Sequence, residues 1–129
     1  MELKQNVVCW FEIYVNDMER AKKFYSNVLN VAIVDGSPME GMPGLQMAFF
    51  PWVENAPNAN GALVKMNDMP VGAGGTMVYF QCEDCSVEES RVETAGGKVV
   101  QAKMSIGEHG FCAICTDTEG NMFGLHSMK

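Results

Sequence analysis

Long apolar runs and positive charges are both scarce in this sequence. No stretch approaches the roughly 18 consecutive apolar residues that a membrane-spanning helix requires, so we expect no membrane span. Nine Lys and Arg stand against 16 Asp and Glu, which gives a net charge of −7 and a pI near 4.7. The basic residues are scattered, and an acidic chain repels a phosphate backbone. We therefore expect no nucleic-acid partner.

A secretory signal is also lacking at the start of the chain, where Met1 to Asn6 are polar. The absence of a basic region, an apolar core and a cleavage site predicts a cytoplasmic protein. Five cysteines are an odd number without a secretory signal, so reduced thiols are expected in preference to a disulfide framework. The 11 methionines suit an irregular core or an adaptable pocket, and plain packing is the commoner reason for them.

A chain of 129 residues has room for one domain with its own core, and we expect a single domain over residues 1–129. Its first half, about residues 6–67, is predicted to form a βαβββ module. The module begins with the strand Cys9–Val15 and a helix capped by Asn16, with Glu19 as its capping-box partner. The expected further strands are Val31–Val34, Leu45–Phe50 and Gly61–Met66.

The second half, about residues 75–129, repeats the same order of elements. A strand over Thr76–Cys82 precedes a helix capped by Ser86, with Glu89 in the capping-box position. That helix should end at Ala95–Gly97, because glycine adopts the left-handed conformation at little cost. The expected further strands are Lys98–Gln101, Phe111–Thr116 and Met122–Ser127. The predicted class is α+β: two tandem βαβββ modules whose curled mixed sheets enclose a cavity.

Several motifs resemble one known family. Residues 10–25 place a strand before Val-x-Asp-hydrophobic-x-x-Ala and then Phe-Tyr, the segment Ala95–Val99 leads out of the second helix, and Asp117–Asn121 precedes the last strand. In this order they resemble the glyoxalase/bleomycin resistance protein/dioxygenase superfamily, also called vicinal oxygen chelate. The resemblance implies paired βαβββ modules, a ligand site in the concave cavity and a homodimer. Pairing of modules within one chain and swapping between two chains both stay open.

The resemblance also implies where a metal would bind, because metal-dependent members hold a divalent ion through His, Gln or Glu on the first and last strands of the modules. Here the first-strand positions fall on Trp10 and Met77, and the last-strand positions on Gly124 and Leu63. None of these is a normal ligand for such an ion. We therefore expect no cofactor and no usual metal site, while an atypical metal held by Glu12 and His126 stays open.

Strand alternation extends these positions into a predicted ligand-facing set, because residues two apart share a face. The predicted ligand-binding residues are Trp10, Glu12, Tyr14, Met77, Tyr79, Gln81, Met122, Gly124 and His126. Plain core packing is the alternative for Tyr79 and Met122, and a structural histidine is the alternative for His126. A carboxylate at Glu12 is costly to bury without a partner. Catalytic residues stay unknown, with Glu12 and His126 as candidates.

Two further motifs each have a structural alternative to a functional role. Glu108 and His109 lie in a loop flanked by glycines, which is either a lid over the cavity or simply an exposed loop. The pairs Cys82-x-x-Cys85 and Cys112-x-x-Cys115 resemble a four-thiolate zinc site in spacing only. Residues three apart in a strand point to opposite faces, so the thiolates of the second pair cannot converge. Free thiols are expected.

Two functions follow from the resemblance. The first is a protein that holds a small organic ligand in the cavity between the modules without the usual metal. The second is a lyase, isomerase or dioxygenase-type enzyme that acts on a small substrate with an atypical metal or none. The absent ligands favour binding, whereas a buried Glu with a His favours chemistry. The sequence identifies neither the ligand nor a reaction.

Overall fold

The computed structural model describes residues 5–38 and 41–129. The chain divides into two compact units. The N-terminal unit is Trp10–Thr76, and the C-terminal unit is Met77–Lys129 together with the first strand's beginning, up to Cys9. Within the described ranges, no helix is long and apolar enough to cross a membrane.

The N-terminal unit has the predicted βαβββ order. Its elements are β1 (Val8–Tyr14), α1 (Met18–Leu29), β2 (Val34–Asp35), β3 (Gln46–Phe49) and β4 (Asn60–Lys65). The strands lie in the order β2-β3-β4-β1, with β1 parallel to β4 and the other pairs antiparallel. Strand β2 is shorter than the predicted Val31–Val34, because Asn30 takes a left-handed conformation and the Val31 amide donates to the Ser26 carbonyl. The helix exit therefore uses the start of that apolar run.

The C-terminal unit repeats this order, as predicted. Its elements are β5 (Thr76–Gln81), α2 (Cys85–Val92), β6 (Lys98–Ser105), a 3-10 turn (Gly107–His109), β7 (Phe111–Thr116) and β8 (Met122–Ser127). The strand order is β5-β8-β7-β6, and β5 is parallel to β8. Strand β6 continues past the predicted end at Gln101, because two register shifts let an irregular strand stay paired with β7. Both units are mixed sheets with one α-helix each, which confirms the α+β class.

The predicted helix caps were wrong by one or two residues. Asp17 caps α1, where its Oδ1 accepts from the Arg20 amide at 3.1 Å, and Asn16 stands one residue outside. Asp84 caps α2 and accepts from the amide of Ser86 at 3.0 Å. Ser, Asn and Asp are all good capping residues, so composition alone did not separate adjacent candidates.

The start of α2 differs from the prediction, and its end agrees with it. Glu89 does not form a capping box; its Oε1 accepts from the backbone amide of Lys103 in β6. The regular helix ends at Val92, and a turn with Gly96 at φ 104° follows. The amides of Gly96 and Gly97 donate to the carbonyls of Glu93 and Val92 at 3.0 Å each. These two bonds and the left-handed glycine form a Schellman-type helix end, so the predicted exit at Ala95–Gly97 is confirmed.

Each unit has its own core on the side of the sheet that carries the helix. In the N-terminal unit the buried residues are Met18, Ala48, Phe50 and Leu63. In the C-terminal unit they are Cys82, Cys85, Ala113, Cys115 and Leu125. The opposite side of each sheet, here called the helix-free face, also carries buried residues: Tyr14, Ala62 and Val64 in the N-terminal unit, and Met77 and Cys112 in the C-terminal unit.

Candidate functional site

On the helix-free face of the N-terminal unit lie three predicted ligand-binding residues, Trp10, Glu12 and Tyr14. Their neighbours in β1, Phe11 and Ile13, pack into the core beside α1, and strand alternation turns the other set away from it. A ring contact of 6.0 Å between the centroids of Trp10 and Phe49 places Phe49 on the same face. The structure therefore brings these three predicted residues together on one surface.

These three residues form a hydrogen-bonded group centred on the Glu12 carboxyl. The Tyr14 hydroxyl donates to Glu12 Oε1 at 2.7 Å, and the Trp10 indole Nε1 donates to Oε2 at 3.2 Å. Glu12 is 9 % exposed and Tyr14 is 6 % exposed. A buried carboxylate is tolerated when donors satisfy it. Trp10 and Tyr14 supply those donors, because residues two apart in a strand lie on the same face as Glu12.

The hydroxyl of Tyr14 is held in its neutral form. Burial, followed by the charge of Glu12 and the hydrogen bond to it, raises the pKa of Tyr14 well above its usual value of 10.0. Tyr14 is therefore a lasting donor to Glu12, and an acid–base role for the phenol at neutral pH is disfavoured.

The C-terminal unit places its six predicted ligand-binding residues on its own helix-free face. Phe80, Phe123 and Leu125 pack into the helix-side core, so the alternate positions in β5 and β8 point the other way. Tyr79 pairs with Gly124, and Gln81 pairs with His126, across the parallel strands. The six residues are Met77, Tyr79, Gln81, Met122, Gly124 and His126.

At Gly124 the missing side chain makes room for a ring. A Cβ built on this residue would overlap the ring of Tyr79 at Cδ1 and Cε1. Gly124 is buried, and it is the last-strand position at which the resemblance implies a metal ligand. The aromatic ring of Tyr79 therefore fills the space that a metal-binding side chain at residue 124 would need.

The predicted equivalent of Gly124 in the N-terminal unit was wrong. Leu63 is fully buried in the core beside α1 and faces away from Glu12. Ala62 pairs with Glu12 across the parallel β1 and β4 strands, as Gly124 pairs with Tyr79. Because Glu12 and Tyr79 are equivalent in the two modules, Ala62 is the structural counterpart. Four consecutive buried residues in β4 hid the face from the sequence.

His126 has one satisfied and one unsatisfied ring nitrogen. Its Nε2 lies 2.6 Å from the backbone carbonyl oxygen of His109. The other nitrogen, Nδ1, is buried and finds no hydrogen-bond partner among the described residues. An unpaired buried acceptor costs about 1–3 kcal/mol, so this nitrogen is an unusual feature of the face.

The loop that carries Glu108 and His109 is a 3-10 turn between β6 and β7. Both side chains are exposed, at 90 % for Glu108 and 66 % for His109. The loop acts on the site through its backbone, since the His109 carbonyl contacts His126. This carbonyl is not among the predicted site groups, and the glycine on each side of the loop is the one sequence signal that indicates it.

A metal fits these positions poorly. Trp10 offers an indole N–H that is donated to Glu12, Met77 offers a thioether, and Ala62 and Gly124 offer no donor atom. Across residues 5–38 and 41–129, no three His, Cys, Asp or Glu side chains are arranged to hold a metal ion. We therefore assign no reaction step to a metal.

All five cysteines are free thiols, and four of them are buried. Cys115 lies in the helix-side core, whereas Cys112 pairs with His126 across β7 and β8, so these two thiols point to opposite faces as predicted. Burial, with a smaller effect of Glu88, raises the pKa of Cys82 to about 12. A thiol with such a pKa is a poor nucleophile.

Family comparison agrees with this geometry. The model of the Glyoxalase/Bleomycin resistance protein/Dioxygenase superfamily matches residues 8–125. The chain belongs to this superfamily. The match begins with β1 and reaches into β8, so it includes every element of both units.

Two curated relatives carry the name "Putative glyoxylase CFP32", one from Mycobacterium bovis and one from Mycobacterium tuberculosis. Each is 28 % identical to this chain over 130 residues. The match covers 96 % of this chain and 46 % of each relative. The chain thus spans about half the length of the curated relatives it matches.

Solved structures show the same fold at low sequence identity. Methylmalonyl-CoA epimerase from Mycobacterium tuberculosis has a TM-score of 0.68 at 15 % identity, and the match covers 100 % of this chain and 93 % of that one. A Streptomyces coelicolor methylmalonyl-CoA epimerase variant in complex with 2-nitronate-propionyl-CoA has a TM-score of 0.67 at 14 % identity, with 96 % and 95 % covered. These similarities establish the vicinal oxygen chelate fold.

Proposed function

We propose that this superfamily member binds a small, partly apolar organic molecule on its helix-free faces, without the usual metal site. The observation that carries the proposal is a buried polar group on each of these faces, the Glu12 carboxyl in one unit and His126 Nδ1 in the other. Core packing does not require polar groups there, since Ala62 and Cys112, which are paired with Glu12 and His126, are buried apolar residues and burying a polar group among such residues is costly. Apolar surroundings with a few placed polar groups are typical of ligand sites.

The cavity expected between the modules stays a prediction, and so does the ligand-facing role of each side chain. Aromatic and thioether groups on these faces, such as Trp10, Tyr79 and Met122, suit a ligand with an apolar body. The Glu12 carboxyl and the His126 imidazole suit donors on that ligand. This combination favours an uncharged or weakly polar organic compound over a phosphate-rich one, in keeping with the acidic chain.

The test is a thermal-shift screen of small organic compounds, because a ligand selective for the folded state raises the unfolding midpoint. Compounds that stabilise the protein should lose their effect on His126→Ala and on Glu12→Gln. Phe24→Ala is the matched control, since Phe24 is 57 % exposed on α1 and away from these faces. Stabilisation that survives both site variants, or that Phe24→Ala removes equally, would contradict the proposal.

The metal-free part of the proposal has a separate test. The purified protein is supplied in turn with nickel, zinc, iron and manganese, and its metal content is measured by elemental analysis. We expect no stoichiometric metal. One equivalent of metal that disappears on replacing Glu12 or His126 would show that an atypical site exists.

A second candidate function is an enzyme that acts on a small substrate as an isomerase, a lyase or a dioxygenase. We consider the isomerase first. His126 favours it, because an imidazole with one N–H bonded to a carbonyl and one free lone pair is suited to accept a proton. The two similar solved structures described above are named methylmalonyl-CoA epimerases. Methylmalonyl-CoA in deuterated water is therefore the first substrate to try, with loss of its α-proton followed by NMR. Exchange that is absent, or unchanged in His126→Ala, argues against this candidate.

We also propose that the chain forms a homodimer, on the basis of the family alone. Light scattering at micromolar concentration measures the mass directly. A monomer mass near 14.2 kDa would contradict the proposal.

A further inference from the structure

The turn between β6 and β7 decides which nitrogen of His126 carries the proton. Nε2 lies 2.6 Å from the carbonyl oxygen of His109. A carbonyl oxygen only accepts hydrogen bonds, so Nε2 must be the donor in this contact. In the neutral imidazole the lone pair is then on Nδ1, the buried nitrogen without a partner among the described residues.

The position of this carbonyl depends on the next residue, Gly110. Gly110 is buried, with φ 99° and ψ −129°, a conformation that favours glycine. A Cβ at this position would overlap the backbone carbonyl oxygen of Ser127 and approach the Met128 sulfur at 3.0 Å. Only glycine therefore lets the turn lie this close to the end of β8.

Two backbone hydrogen bonds complete the turn. The Ile106 amide donates to the Gly110 carbonyl at 2.8 Å, and the Gly110 amide donates to the Gly107 carbonyl at 3.2 Å. Both ends of the turn are thereby tied to each other across its exposed tip. His109 lies within the segment that both bonds close, and its carbonyl contacts His126 from there.

We propose that Gly110 is a positioning residue that fixes His126 in the tautomer with hydrogen on Nε2. The consequence, which rests on the proposed ligand binding, is a rule for the ligand: a group placed against Nδ1 has to be a hydrogen-bond donor, such as a hydroxyl or an N–H. Acceptor-only groups meet a lone pair there and are rejected. The ligand class is thus an apolar molecule with a donor.

Nitrogen NMR of the imidazole tests the proposal without any ligand. The chain has two histidines, so histidine labelled with ¹⁵N gives two sets of ring signals, and His109→Ala leaves those of His126 alone. In the neutral imidazole we expect Nε2 to resonate as the protonated nitrogen and Nδ1 as the unprotonated one. A coupling from Nε2 to the His109 carbonyl carbon should also be present.

His109→Ala is itself informative, because it keeps the backbone carbonyl and removes only an exposed side chain. The tautomer of His126 should be unchanged in it. In the native protein, a His126 signal that shows hydrogen on Nδ1, or averaging between the two tautomers, would overturn the proposal.

Gly110→Ala is expected to displace the carbonyl and to replace the single tautomer by a mixture. Gly107→Asn is the matched control: Gly107 also has a positive φ of 72°, a Cβ there would meet nothing within 4 Å, and Asn tolerates this conformation. A folded Gly110→Ala protein with an unaltered tautomer would overturn the role of Gly110. If this variant does not fold, the native spectra and the carbonyl coupling still decide whether the tautomer is fixed.

The ligand rule is tested with phenol and anisole, which differ in the donor hydroxyl. Shifts of the His126 signals should show phenol binding about tenfold more tightly than anisole, the gain of roughly one hydrogen bond. Equal binding would overturn the rule. If neither compound binds although the tautomer is fixed, the donor rule fails for phenol and anisole. The thermal-shift screen of small organic compounds tests the proposed ligand binding separately.

Discussion

The ring of Tyr79 lies across the backbone of Gly124, its partner in the neighbouring parallel strand. In the family pattern this strand position commonly carries a carboxylate that binds metal. In this chain the aromatic ring and the absent side chain depend on each other. The same strand pair therefore accounts for both the absence of a side chain at residue 124 and the aromatic surface of this face.

Gly124→Ala should lower the free energy of unfolding by about 1–3 kcal/mol, because the added methyl group overpacks the space beneath the ring. In a Tyr79→Ala background the same substitution should cost much less. Tyr79→Phe is the control, since it keeps the ring and should keep the full penalty. A double-mutant cycle by urea denaturation measures the coupling. Additive effects in all backgrounds would show that the ring does not restrict residue 124.

A second prediction concerns the start of α1. Asp17→Ala should destabilise the protein by roughly 0.5–2 kcal/mol, because it removes the acceptor of the Arg20 amide. Asn16→Ala, one residue earlier, should change the stability little. Urea denaturation of both variants compares the two adjacent candidates directly. A larger loss for Asn16→Ala would restore the cap that the sequence suggested.

The order of elements was predictable because each depends on a local pattern. The alternation in β1, the helical spacing in α1 and the turn at Asp117–Asn121 all indicate their elements without tertiary information. Even the exit from β7 follows from composition, since the Asp117 carboxylate accepts from the amides of Glu119 and Asn121 at 2.9 Å. Local chemistry of this kind is visible in a single sequence.

The site was predicted less well, because its decisive contacts are not local. The residues of the helix-free faces followed from alternation, and Trp10, Glu12 and Tyr14 do share a face. The buried run in β4 shows no alternation, so the sequence pattern points to Leu63 at the position that Ala62 occupies in the structure. The contact between His126 and a backbone carbonyl 17 residues away leaves no side-chain pattern to detect. Side-chain periodicity cannot report what a main-chain group does.

The thiols provide a third prediction. Burial leaves Cys82, Cys85, Cys112 and Cys115 inaccessible, and the pKa of about 12 leaves almost no thiolate at Cys82 near neutral pH. An aromatic disulfide reagent should therefore modify at most one thiol of the native protein, Cys9, and all five after denaturation. Cys9→Ser should abolish the native reaction. Rapid loss of a second thiol in the folded protein would contradict the burial.

The last prediction concerns the bond between Tyr14 and Glu12. Tyr14→Phe should destabilise the protein by about 1.5–3 kcal/mol near neutral pH, the range for a hydrogen bond to a charged group. The pKa of Tyr14 is raised in the folded protein, so the stability it adds is fully present below the unfolded value near 10.0 and falls as the pH rises above it. The stability gap between the natural protein and Tyr14→Phe should therefore narrow in alkaline solution. Glu12→Gln removes the neighbouring charge, and in that background the narrowing should be smaller. Urea denaturation at a series of pH values measures the stability of the natural protein, of both single variants and of the double variant. A stability gap between the natural protein and Tyr14→Phe that stays constant through the alkaline range would mean that the Tyr14 hydroxyl does not keep its proton in a hydrogen bond to Glu12.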